Sequence, residues 1–189
     1  MGCECLTPEL IKKFHHMAKY GYNEVSVCLS NGCVLKNETT GDVASVDRAG
    51  THPSCSCVVH IHPQPPELKH KLPYSCIPSP SDVSVVIFDA LMLHKNGFDK
   101  DKIASYEDAV FYPCGFIRYS VFDINRLIDF MISKSLTIHT IHDYLSSAFN
   151  RIKQSCRNLP PESHVQCVKA KWILLCHEIG VKMIETILD

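Results

Sequence analysis

His60 and His62 stand two residues apart at the end of the run Cys55 to Ile61, whose Val58, Val59 and Ile61 read as a buried strand. Residues i and i+2 of a strand project from one face, the separation that lets two imidazoles reach one metal ion. With eleven histidines in the chain, such a pair also arises as surface or hydrogen-bonded histidines, so the neighbouring carboxylates matter. Downstream, Ser79-Pro80-Ser81-Asp82 puts a carboxylate at a helix start, and upstream Glu24 opens a strand. Each also has a plain structural role: Ser79 as a helix cap, Asp82 as a first-turn acid complementing the helix dipole, Glu24 as a solvated strand-end carboxylate.

The elements that must position these residues follow from patterning. Thr7-Pro8-Glu9 reads as an N-cap with proline at N1, and Leu10, Ile11, Phe14, Met17 and Ala18 recur at helical spacing to about Tyr20, before Gly21. Glu24 to Leu29 and Cys33 to Lys36 flank the Asn31-Gly32 turn signal as a hairpin. Pro63, Pro65, Pro66, Pro73, Pro78 and Pro80 make 63–80 a loop. A helix is predicted from about Asp82 to Lys95, stopped at Gly97, and a strand pair at Ala109 to Tyr112 and Phe116 to Phe122. The rest reads as helical: Asp123 to Ser133, Ile138 to Cys156, and a long helix after Pro160-Pro161 to Leu188. On that last helix Val165, Val168, Trp172, Leu175, Ile179 and Met183 form one apolar stripe, which packs on the domain's own core or serves a dimer or partner.

His60-Ile61-His62-Pro63 followed by Ser79-Pro80-Ser81-Asp82, with Glu24 after an amphipathic helix, resembles the signature of the JAB/MPN (JAMM) zinc metalloproteases and deubiquitinases, HxHP then SxxD with an upstream glutamate. The resemblance covers roughly Pro8 to Phe122. It implies zinc on His60, His62 and Asp82, Glu24 as general base, and Ser79 as a donor to the oxyanion. Glu38, in a polar turn, is the rival upstream carboxylate. Two departures stand out. Sixteen residues separate His62 from Ser79 where the family usually has about seven, and Ser26 occupies a place usually held by glycine. Loops lengthen at low entropic cost when their ends stay fixed, so the additional residues are expected to shape a substrate groove.

Composition bounds the rest. Nineteen Lys and Arg against twenty Asp and Glu give a formal charge of -1, which disfavours nucleic acid as a partner. Eleven cysteines, an odd number, in a chain that opens without a secretory signal read as thiols of a reducing, cytoplasmic compartment. Cys3-x-Cys5 and Cys55-x-Cys57 with His52 offer a lesser, structural metal reading. Gly2, Cys3 and Cys5 look like the start of a doubly acylated anchor, although Leu6 stands where Ser or Thr is usual; membrane attachment is expected only with that acylation.

These readings lead to an α/β expectation: an MPN-like mixed β-sheet flanked by helices over 1–122, with a C-terminal helical extension over 123–189. The resemblance implies a zinc-dependent hydrolase cleaving isopeptide or peptide bonds of ubiquitin or ubiquitin-like conjugates. The alternative is a noncatalytic MPN-like scaffold that binds a protein partner, or a second copy, through its C-terminal helices.

Overall fold

Thr7 caps the first helix, its hydroxyl accepting from the Leu10 amide at 3.3 Å, and Pro8 fills the first helical position, where no amide hydrogen is needed. The computed structural model describes residues 6–30, 35–41, 55–64, 74 and 76–188. In it this helix, α1, spans Pro8–Tyr20. Gly2, Cys3, Cys5, His52, the Asn31-Gly32 turn and most of the proline-rich loop lie outside the described residues.

Among the described residues there are six strands: β1 Val25–Ser30, β2 Leu35–Thr40, β3 Cys55–Ile61, β4 Glu107–Tyr112, β5 Gly115–Val121 and β6 Val181–Ile187. They lie in the order β2-β1-β3-β4-β5-β6. β1 is antiparallel to both β2 and β3, β3 is parallel to β4, and β4 is antiparallel to β5. The architecture is therefore mixed α/β. The parallel step needs a crossover, supplied by α2 (Pro80–Lys95) and α3 (Lys100–Ala104) between β3 and β4.

The chain divides into two compact units, Met1–Ile77 with Ser105–Tyr119 and Ile184–Asp189, and Pro78–Ala104 with Ser120–Met183. In the first, one face of the sheet is apolar. Val27, Leu29, Val59, Ile61, Ala109 and Phe111 project from it and are buried with Phe14 and Ala18 of α1. Phe14 meets Phe111 edge-on at 5.4 Å, and Phe111 stacks on Phe116 at 4.7 Å. Each such ring contributes roughly 1.5–3 kcal/mol by leaving water. The second unit holds α2, α3, α4 (Ile124–Ser133), α5 (Ile141–Ser155) and α6 (Pro161–Glu178). Here α2 packs on α5, and α5 on α6.

Three expectations are corrected. The last helix does not reach Leu188: α6 stops at Glu178, Gly180 takes φ +90°, and Val181–Ile187 is strand β6. A side chain at Gly180 would put its Cβ 2.6 Å from the Asp123 carbonyl oxygen, so only glycine makes this reversal without strain. Glu38 sits not in a polar turn but in β2, in register with Val27. The cysteines are not all thiols, since Cys156 is bridged to Cys167 and Cys28 and Cys57 are also disulfide-bonded. Among the described residues Cys76, Cys114 and Cys176 keep their thiols. Among the described residues no helix is long and apolar enough to cross a membrane.

Candidate metal centre

Strand parity assigns the polar side chains to one face. In the β1/β3 ladder Val25 opposes Ile61 and Ser26 opposes His60. One step further along, Glu24 comes opposite His62. The apolar partners Val25, Val27, Val59 and Ile61 belong to the core face against α1, so Glu24, Ser26, His60 and His62 project from the other. Both histidines are buried, at 8% exposure each, and Ser26 is fully buried. Opposite His60, Ser26 adds little bulk beside the imidazole. The His62 amide donates to the Phe111 carbonyl at 2.8 Å, holding β3 to β4 one residue past the strand. Glu24 Oε1 lies 3.9 Å from His62 Nε2, with the carboxylate side chain only 15% exposed. The Glu24 carbonyl accepts from the Gly41 amide at 2.9 Å, which fixes the backbone beneath it.

The start of α2 is built separately and tightly. Ser79 is the N-cap: its Oγ accepts from the Asp82 amide at 3.2 Å, and Asp82 Oδ2 accepts from the Ser79 amide at 2.7 Å. This reciprocal capping box satisfies two amides that a helix start otherwise leaves unpaired. Ser81 Oγ and His142 Nε2 are hydrogen-bonded at 3.2 Å. The Trp172 indole N–H donates to the Pro78 carbonyl at 2.9 Å. Asp82 is buried at 6% exposure, in the first turn, where the helix dipole favours its charge.

His60, His62 and Asp82 come together: one potential ligand atom from each lies within 4.8 Å of the others, and all three residues are buried. This group could hold a metal ion. The sequence-predicted Glu24 neighbours it through His62, while Ser79 is joined to it through Asp82. The donor set fits a borderline cation: two neutral imidazole nitrogens and one carboxylate oxygen.

Other polar residues here escape local sequence reading. Asp108 is almost wholly buried on β4 and shares the parity of Val110, the register partner of His60, so it lies on the histidines' face of the sheet, opposite Tyr119. In the sequence it follows Glu107 and only adjoins the apolar run Ala109 to Tyr112, so no local pattern marks it. The contacts of Trp172 and His142 join residues 94 and 61 positions apart, and no local pattern marks such pairs. No protein-family model, curated protein or solved structure matches this chain.

Proposed function

We propose that this chain is a zinc-dependent hydrolase with an MPN-like domain of the JAB/MPN (JAMM) type, cleaving isopeptide or peptide bonds of ubiquitin or ubiquitin-like conjugates. The observation that carries this reading is the meeting of two buried strand imidazoles and one buried helix-start carboxylate within 4.8 Å. Three protein ligands leave a fourth position open, as catalytic zinc sites do.

When bound, zinc supplies a Lewis acid that brings a water's pKa toward about 7 and polarises a carbonyl. Glu24 takes the proton of the attacking water and returns it to the leaving amine. Asp82 serves both helix and metal because a carboxylate has two oxygens, one of which accepts the Ser79 amide. Ser79 Oγ accepts the Asp82 amide, so its hydroxyl hydrogen remains to be donated to the developing oxyanion.

The test is cleavage of ubiquitin chains and of a ubiquitin–fluorophore conjugate by the zinc-loaded protein. Cleavage should disappear with a chelator and return with zinc. A zinc-loaded protein inert toward every conjugate would favour the second reading, a noncatalytic scaffold binding a partner through its C-terminal helices. What favours that reading is an open groove on the helical unit lined by Ala148, Ile152, Leu174 and Leu175 of α5 and α6.

A further inference from the structure

Pro78 and Ser79 share one peptide group, and both ends of that group are hydrogen-bonded. Its carbonyl accepts from the indole N–H of Trp172 at 2.9 Å. Its N–H donates to Asp82 Oδ2 at 2.7 Å. A peptide is planar and its rotation is stiff, so whatever fixes the carbonyl also sets the direction of the N–H. Bonds in series through one amide also polarise each other in a low-dielectric interior. The donor at the far end is itself held by packing. Trp172 is fully buried, and Phe149 meets its ring edge-on at 5.0 Å.

We infer that Trp172 is a positioning residue for the metal-binding carboxylate: from α6 it orients the Pro78–Ser79 peptide, and through it Asp82. This deepens the zinc reading and rests on Asp82 being a ligand. It also accounts for a buried indole N–H aimed at a carbonyl immediately before the cap, when a Phe would fill an apolar core without that bond.

Trp172 is the only tryptophan of the chain, so its indole proton gives a single resolved NMR signal. In the wild-type protein that signal should shift as zinc is added; zinc uptake with an unmoved indole signal overturns the inference. Trp172→Phe removes the donor and keeps an aromatic ring. In the metal-free variant the Ser79 amide should lose its downfield shift and exchange faster, and zinc affinity should fall roughly ten- to a hundredfold, the usual effect of removing an outer partner of a ligand. Phe149→Leu loosens the same packing while leaving the donor, and should keep affinity within about twofold. Equal losses in the two variants, tracking their loss of stability, would show Trp172 to be packing alone. A Ser79 amide unchanged by Trp172→Phe overturns the inference whether or not zinc binds. A Ser79 amide that does respond, in a wild-type protein that takes up no zinc, upholds the link to Asp82 and overturns the zinc reading alone.

Discussion

Glu24 and His62 face each other across the β1/β3 ladder at 3.9 Å, and their proposed roles separate cleanly by substitution. Glu24→Gln keeps shape and hydrogen bonding but removes the proton acceptor. Cleavage should fall by roughly 10²- to 10⁴-fold while zinc content is unchanged, as read by a fluorogenic assay beside metal analysis. Undiminished cleavage would remove Glu24 from the mechanism. Two of the free thiols among the described residues, Cys114 and Cys176, also differ in kind. Burial pushes the Cys176 thiol well above its ordinary pKa, whereas Cys114 is exposed. A maleimide should therefore label Cys114 in the folded protein and leave Cys176 untouched until unfolding, as mass spectrometry of the peptides would show. At this scale the group that could hold a metal ion was legible: the two histidines and Asp82 declare themselves by spacing and by helix-start chemistry. Asp108 and Trp172 did not, because their significance lies in partners far along the chain.

Among the elements, the start of α2 carries stability and, in the proposed reading, chemistry. Removing the Ser79 hydroxyl by Ser79→Ala should cost about 0.5–2 kcal/mol of unfolding free energy, the usual value of such a cap, measured by denaturant titration. On β4, Tyr112 donates its hydroxyl to Glu185 of β6. Burial first, then this carboxylate, raise the phenol's pKa well above 10. The folded state thus holds a proton that the unfolded chain releases near pH 10. The contribution is fully present below that pH and is lost as pH rises above it. Tyr112→Phe should flatten the alkaline decline in stability beyond about pH 10, and an unchanged slope would contradict the assignment. Strands and helices were mostly legible from periodicity and caps. The end of α6 was misread because Ile179 and Met183 continue the apolar spacing of the helix, whereas Gly180, at φ +90°, breaks it. A Gly180→Ala substitution should destabilise by roughly 1–3 kcal/mol.

At the level of the whole molecule, the order of helix, hairpin, buried strand, crossover helix and strand pair could be read from the chain. The placement of β6 beside β5 could not, since edge pairing depends on the tertiary sheet rather than on local pattern. Cysteine pairing was equally hidden: composition pointed to thiols, whereas the end of α5 is tied to α6 by Cys156–Cys167. The zinc ion proposed on His60, His62 and Asp82 is tested most directly by its stoichiometry, measured by native mass spectrometry as zinc is added to the metal-free protein. Wild type should take up one zinc per chain, and folded His60→Ala, His62→Ala and Asp82→Ala variants should fail to retain it. A wild-type chain that stays metal-free at saturating zinc, or three variants that bind zinc as the wild type does, would contradict the claim.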